Sequence, residues 1–316
     1  MGRDRDLGAS ALQPARRNRL PGPAHRDVEE ATGVTPLRSL LFVPGDRPER
    51  FAKAAASGAD AIILDLEDSV LPEGKDAARR AVVDYLTARP PLPCIVRVNA
   101  LGSSAIEADV AALAKVKPDA LMLPKAEGAA SIDALAALFG ADLPPVLPIA
   151  TETPGAIFEL GSYRHCADRL AGLSWGAEDL PAAIGATTSR EADGRYTPPY
   201  ELVRSLTLFA AHAAGVPAID TVFPAIADKD GLAAHVARAR RDGFTGMLAI
   251  HPAQVPVINA GFTPDDEEIA KARRIIAAFD ANPGAGALAL DGRMIDRPHL
   301  VQARHVLALA GALSTD

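Results

Sequence analysis

Aromatic residues make up only 4% of this 316-residue sequence, although 48% of it is hydrophobic. The apolar mass is therefore alanine, leucine, valine and isoleucine, which suits helices packed on a buried parallel sheet whose strands read as aliphatic runs. Cysteine is equally scarce. Cys94 and Cys166 alone provide neither a disulfide framework nor metal-ligand spacing, and Cys94 reads as a small buried residue within an apolar run. No stretch approaches the ~20 uninterrupted apolar residues that cross a bilayer, so no membrane association is expected. A basic excess is also missing. The net charge is -7 and the isoelectric point about 5.5, whereas nucleic-acid binders usually present a basic face. The first 34 residues hold Arg3, Arg5, Arg16, Arg17 and Arg19 but no apolar core of a secretory signal. They read as a disordered extension, with Asp4 and Asp6 weighing against a transit peptide. The expected setting is cytoplasmic and reducing.

What the sequence does contain is a repeated rhythm from Leu37 onward. Short aliphatic runs ending in polar residues predict strands over 39–45, 61–67, 94–99, 120–125, 146–152, 170–175, 218–223 and 247–251. Amphipathic segments between them predict helices, as at 49–57, 75–88, 106–116, 131–139, 200–214 and 230–242. Strand and helix in alternation indicate a parallel sheet. Eight units over about 220 residues favour a (β/α)8 TIM barrel over an open doubly wound sheet. No Gly-rich phosphate fingerprint follows the first strand, since Val43-Pro44-Gly45-Asp46 is not G-x-G-x-x-G. A long helix over 264–279 follows the last strand, then a Gly-rich linker at 282–286, a short strand at 287–290 and a helix at 298–313. The predicted organisation is thus an extension over 1–34, an α/β barrel over 35–281 and a small C-terminal lid or helical appendage over 282–316.

In such barrels the chemistry sits at the C-terminal ends of the strands. Those ends carry Asp65, Glu67 and Asp68, then Arg97 and Asn99, then Lys125 and Glu127. Glu152 closes the fifth strand, Glu178 and Asp179 follow the sixth, and His251 closes the eighth. Burying an unpaired charge costs several kcal/mol, so this many ionisable groups at one mouth call for a function. An ion-pair rim is the plain alternative for any single one of them. The carboxylate excess suits Mg²⁺, held through one or two carboxylates plus waters and substrate oxygens. Zinc is disfavoured because no His/Cys cluster is present. Glu152 and Asp179 could share one ion; Asp65, Glu67 and Asp68 are rival ligands. Spacing does not choose between them.

Six blocks then resemble one family. They are Leu37-Arg38-Ser39-Leu40-Leu41-Phe42-Val43-Pro44-Gly45, Ile63-Leu64-Asp65-Leu66-Glu67-Asp68-Ser69-Val70, Val96-Arg97-Val98-Asn99, Thr151-Glu152-Thr153-Pro154, Trp175-Gly176-Ala177-Glu178-Asp179-Leu180 and Ile250-His251-Pro252-Ala253-Gln254-Val255. Together they resemble the citrate lyase β-subunit-like family of the HpcH/HpaI aldolase superfamily, which includes malyl-CoA and citramalyl-CoA lyases. The resemblance implies a TIM barrel with Mg²⁺ on Glu152 and Asp179. It implies that Arg97 contacts the thioester and carboxylate region of the substrate. Glu152, Arg38, His251 and Pro252 are the further candidate substrate contacts, His251 reading equally as a loop cap, and Glu67 is a candidate for a supporting catalytic role beside Arg97. The block Asp291-Gly292-Arg293-Met294-Ile295-Asp296-Arg297-Pro298-His299 looks like the lid of enzymes acting on free CoA esters. In those enzymes its aspartate, here Asp296, reaches a neighbouring subunit's site, which implies a homo-oligomer, a trimer or hexamer. Position alone reads Asp296 as a helix N-cap. Two departures stand out: Gly246-Met247-Leu248 lacks the lysine common in relatives, and Gly102-Ser103-Ser104-Ala105 lacks an aromatic.

The implied activity is retro-Claisen cleavage, or its reverse, of a short 3-hydroxyacyl-CoA into an oxo-acid and a thioester enolate. The metal serves as Lewis acid and template, Arg97 stabilises charge on the thioester oxygen, and a protonated Asp296 delivers a proton to the enolate carbon. Glu67 and Asp68 orient the surrounding groups. Lys125 reads as a rim ion-pair partner and not as a Schiff-base lysine. The alternatives are a class II aldolase for free 2-keto acids, which the lid disfavours, a malyl-CoA thioesterase, and a catalytically idle relative.

Overall fold

The computed structural model describes residues 37–88 and 90–311. The extension expected over 1–34 and the end of the helix expected over 298–313 lie outside the described residues. Eight parallel strands surround one axis: β1 (Ser39–Pro44), β2 (Ala61–Asp65), β3 (Cys94–Arg97), β4 (Ala120–Leu123), β5 (Val146–Pro148), β6 (Leu173–Ser174), β7 (Ala218–Asp220) and β8 (Gly246–Ala249). Their order, β5-β4-β3-β2-β1-β8-β7-β6, is that of a barrel opened between β5 and β6. Parallel bridges Val146 to Leu170 and Ile149 to Ser174 span that gap and close the ring. The chain is an α/β TIM barrel.

Helices α1 (Phe51–Ala55), α2 (Lys75–Thr87), α3 (Ile106–Leu113), α4 (Gly128–Phe139), α5 (Pro154–Glu159), α6 (Asp179–Ile184), α7 (Pro198–Ala214), α8 (Lys229–Asp242) and α9 (Val255–Phe262) follow the strands. α5, α6 and α9 are six to eight residues long, too short for helical periodicity to stand out in the sequence. Local signals mark them instead: Thr153 caps α5 through its side chain with Pro154 next, and Gly185 ends α6 in the left-handed conformation.

The two faces of the strands separate the core into two layers. Leu40, Ile63, Ile95, Met122, Leu147, Ile149, Ile219 and Leu248 fill the barrel interior. Their alternates, among them Leu41, Ile62, Leu64, Val96, Leu121 and Val146, pack outward beneath the helices. The same alternation continues one step further along each strand. Phe42, Asp65 and Arg97 lie two residues beyond Leu40, Ile63 and Ile95, so they project inward as the next layer. That layer is the floor of the mouth.

After α9 the chain forms an appendage of α10 (Asp266–Asp280), β9 (Ala287–Leu290), β10 (Arg293–Asp296) and α11 (Arg297–Leu309). It has its own small core of Ala272, Ile275, Phe279, Ile295, Ala303 and Leu307. The helix read from the sequence as the last barrel element thus turns its buried face to the appendage. β9 and β10 pair antiparallel with Leu290 opposite Arg293. Asp291 and Gly292 make the two-residue turn, both at positive φ (49° and 72°), as an Asp-Gly hairpin favours. A further strand, β10, therefore appears where the sequence reading has only one.

Candidate active site at the barrel mouth

Arg97 is the hub of the mouth. Its Nε donates to Asp65 Oδ1 and its Nη2 to Asp65 Oδ2, both at 2.6 Å. Its Nη1 stands 3.1 Å from Glu67 Oε2, and its guanidinium carbon lies 4.9 Å from the centre of the Phe42 ring. The side chain is thereby fixed in place, and the fork geometry leaves two of its five N–H donors for other partners. Asp65 is saturated. Besides Arg97 it accepts the backbone N–H groups of Glu67 at 3.0 Å and Ser69 at 3.2 Å. Burial alone would raise its pKa, but the Arg97 bonds and charge hold it below the ordinary value. Glu67 accepts the Lys125 ammonium at 2.6 Å, and burial raises its pKa despite Arg97 and Lys125.

Glu152 is 4% exposed. Its Oε2 accepts the Lys125 backbone N–H at 2.5 Å, and its other oxygen has no hydrogen-bond partner among the described residues. Burial pushes its pKa up to about 8, the Lys125 amide opposing and the Asp179 and Glu67 charges adding. Gly176 makes room for this side chain: a Cβ there would meet Glu152 Cγ at 2.9 Å and Ile149 Cγ2 at 3.2 Å. Asp179 starts α6, with Lys125 Nζ at 3.7 Å as its ion-pair partner. Around these groups Asp65, Glu67, Asp68, Glu152 and Asp179 face the cations Arg97 and Lys125. A hard divalent ion fits such an oxygen-rich, net-negative set. The oxygens of Asp65 are taken, and those of Glu67 are turned to Arg97 and Lys125. Glu152 and Asp179 keep oxygens available.

The mouth opens into a cavity of about 310 Å³ lined by Phe42, Pro44, Asp65, Ser69, Arg97, Val222 and Ile250. A groove of about 470 Å³ continues from the same Phe42–Pro44–Ile250 wall to Arg50, Lys53, His251 and Pro252. His251 Nδ1 accepts the Ala253 N–H at 3.1 Å, so the residue caps the turn after β8 while its ring borders the groove. Pro252 opens that turn. Arg50 and Lys53 were not singled out in the sequence, where they look like ordinary charges on a solvated helix. Only their position directly after β1 marks them.

Several expected positions lie elsewhere. Arg38 does not reach the mouth, which corrects its assignment as a substrate contact. It precedes β1, and its guanidinium grips Asp60 at 2.8 and 2.9 Å and Thr263 at 2.8 Å. A six-residue strand is about 20 Å long, so Arg38 pins the opposite end of the barrel. Asn99 donates to Leu66 O and to Asp109 Oδ2 and clamps the loop after β3. Glu127 accepts the Thr153 hydroxyl, tying two loops. Gly246 begins β8 at the far end, where a Cβ would come within 2.0 Å of Leu37 O. No side chain fits at that position, and the cations that line the groove are Arg50 and Lys53. Asp296 occupies the N-cap position of α11. Its carboxylate lies 2.5 Å from His299 Nδ1, and among the described residues it makes no polar contact with the mouth of its own barrel.

Residues 38–252 match the family model described as HpcH/HpaI aldolase/citrate lyase. The citrate lyase subunit beta-like protein of Mycobacterium tuberculosis is 41% identical over 276 residues, covering 87% of this chain and 96% of that protein. The (3S)-malyl-CoA thioesterase of Cereibacter sphaeroides is 37% identical over 287 residues, covering 88% and 96%. Among solved structures, the protein CitE of Mycobacterium tuberculosis in complex with magnesium, acetoacetate and coenzyme A superposes with a TM-score of 0.76 at 41% identity. That match covers 87% of this chain and 98% of the other.

Proposed function

Because the chain belongs to the HpcH/HpaI aldolase/citrate lyase family, we propose that it is a Mg²⁺-dependent lyase of short 3-hydroxyacyl-CoA esters. Its reaction cleaves or forms the bond between the acyl α-carbon and an oxo-acid, with malyl-CoA or citramalyl-CoA as the type of substrate. The observation that carries this reading is the division of labour among the mouth carboxylates. Both oxygens of Asp65 are taken by Arg97 and one oxygen of Glu67 by Lys125, the other facing the Arg97 guanidinium at 3.1 Å without a hydrogen bond. Glu152, by contrast, has an oxygen without a partner among the described residues, and Asp179 is held only by a 3.7 Å ion pair. The relatives named for citrate lyase and malyl-CoA chemistry, and the neighbour bound to magnesium and coenzyme A, support the same class.

When bound, Mg²⁺ supplies a Lewis acid at the hydroxyl and carboxylate oxygens of the substrate. The protein's residues do the rest. The two free N–H groups of Arg97 bind the thioester oxygen, and its rigid clamp to Asp65 means that it stabilises developing negative charge without reorganising. Glu67 sets the guanidinium plane from a second side. Phe42, Val222 and Ile250 form the apolar wall of the mouth, which keeps the reacting carbons away from water. Arg50 and Lys53 give the adjoining groove the charge suited to a polyphosphate arm. In this reading Asp296 acts from a second copy of the chain as the proton donor to the enolate carbon, so the working species is a homo-oligomer, a trimer or hexamer.

A second reading, thioester hydrolysis, is favoured by the 37% identity to a malyl-CoA thioesterase. One assay separates the two. Incubation with malyl-CoA and Mg²⁺ is expected to release acetyl-CoA and glyoxylate, with the release lost on chelation and in Glu152→Gln. Free CoA and malate as first products would replace the lyase by a thioesterase. Turnover of free 2-keto acids alone would support a class II aldolase, and no turnover of any short 3-hydroxyacyl-CoA would sink the proposal.

A further inference from the structure

Lys125 holds a conformation that few lysines adopt. It follows β4 with φ of +52°, in the left-handed region where a side chain other than glycine is disfavoured. That conformation lets one residue grip two carboxylates from different strands. The backbone N–H is turned to Glu152 at 2.5 Å, while the ammonium reaches Glu67 at 2.6 Å. The same ammonium stands 3.6 Å from Asp68 and 3.7 Å from Asp179. Those two separations are attractive but too long for hydrogen bonds. Lys125 is thus anchored on Glu67 and only electrostatically held to Asp179.

We propose that the Lys125 ammonium is a tethered stand-in for the divalent cation, drawing Asp179 toward Glu67 until an ion arrives and then yielding Asp179 to it. This rests on the reading of Glu152 and Asp179 as the ligands. Asp179 already lies within 4 Å of one cation, and a second cation on the same carboxylate would repel the first. The ammonium has somewhere to go, because its bond to Glu67 is independent of Asp179 and its side chain is one-third exposed. The backbone bond to Glu152 needs no movement. Lys125 is therefore a positioning residue: it keeps the carboxylates assembled and sets the affinity for the ion by competing with it.

The test is Mn²⁺ binding by titration calorimetry at pH 8, in the full-length protein, with melting followed in parallel. Lys125→Met keeps the length and backbone but removes the charge. We expect it to bind Mn²⁺ at least about tenfold more tightly than wild type, to melt lower without metal, and to gain more on metal addition. Lys125→Arg is expected to restore affinity and melting toward wild type. Equal or weaker Mn²⁺ binding by Lys125→Met overturns the stand-in. Should that variant not fold, crystal structures of the wild type with and without Mn²⁺ decide. The Nζ–Asp179 separation should lengthen with Mn²⁺ while the bond to Glu67 persists; an unchanged separation overturns the proposal. A wild type that binds no Mn²⁺, or a Glu152→Gln variant that binds it normally, overturns the metal site itself.

Discussion

Arg97 and Asp65 meet through two parallel 2.6 Å hydrogen bonds across neighbouring strands, in the layer just above the barrel's apolar filling. Opposite charges in such a fork fix the plane of the guanidinium as no single-point contact would. The remaining donors of Arg97 then address the mouth from a set angle.

Replacing Arg97 by lysine keeps the charge but loses the fork, the contact to Glu67 and the stacking on Phe42. Lysine is a point donor on a flexible stem and cannot reproduce these at once. Turnover should fall about 100- to 1,000-fold, the range seen when a preorganised donor is removed. Mn²⁺ affinity should change by less than about threefold, because Glu152 and Asp179 are untouched. Steady-state kinetics and calorimetry on the same preparation check both halves. Parallel loss of metal binding would assign Arg97 to the metal site instead.

Gly176 gives a second test of the same centre. An alanine methyl there would press on Glu152 Cγ and Ile149 Cγ2, closer than side chains settle. Since Glu152 is already fixed by the Lys125 amide, its carboxylate must shift. Gly176→Ala is expected to weaken Mn²⁺ binding by at least about tenfold, since a misplaced ligand costs affinity. The melting temperature should drop by only a few degrees. Unchanged affinity would mean that Glu152 is not a ligand in its present position.

Much of this architecture is legible in the chain. Aliphatic runs such as Ile62, Ile63 and Leu64 mark strands, and the polar residues that end them mark the mouth. The choice among the carboxylates is not legible from spacing, because it depends on partners far along the chain. Both oxygens of Asp65 are taken by Arg97, 32 positions on, and one oxygen of Glu67 is taken by Lys125, 58 positions on. Arg38 misleads for the opposite reason. It lies within a block that resembles the family, yet a strand has two ends, and Arg38 lies at the wrong one. The left-handed turn at Lys125 carries no glycine to announce it.

Outside the mouth, Asp220 supports the fold and predicts its acid limit. Its carboxylate is fully buried and accepts the Trp175 indole N–H at 2.6 Å and two Arg204 N–H groups at 3.0 and 3.2 Å. Burial alone would raise its pKa. His235, 3.4 Å away, and Arg204 outweigh that and lower it to about 2, against 3.8 for a free aspartate. A depressed pKa stabilises the fold above the unfolded value, and that contribution is lost as pH falls through the folded value. About 2 kcal/mol should therefore be fully present above pH ~4 and vanish between pH ~4 and ~2. Asp220→Asn should remove this part of the acid dependence. It should also destabilise the protein by about 1.5–3 kcal/mol at neutral pH, because buried Arg204 loses its bonds to Asp220 and keeps only the Asp242 carboxylate at 2.7 Å. Urea unfolding at several pH values measures both effects. A variant as stable as wild type at pH 7 would show that the network contributes little.

Asp296 allows the most direct examination of the proposed assembly. It caps α11 beside His299 and makes no polar contact with the mouth of its own barrel among the described residues, so a role in proton transfer requires a neighbouring copy. Asp296→Asn and Glu152→Gln would then break different parts of one composite site. Each variant alone should lose turnover by at least about 100-fold, and Asp296→Asn should still bind Mn²⁺ normally. Mixing the two after mild dissociation and reassociation should restore part of the activity. Mouths with an intact Glu152 can then receive an intact Asp296 from a partner. For random trimers with each site shared by two neighbouring copies, about a quarter of sites would be whole, from the product of two one-half probabilities. Activity that stays at the level of the separate variants, in mixtures shown by mass spectrometry to have exchanged subunits, would leave Asp296 as a helix cap and nothing more.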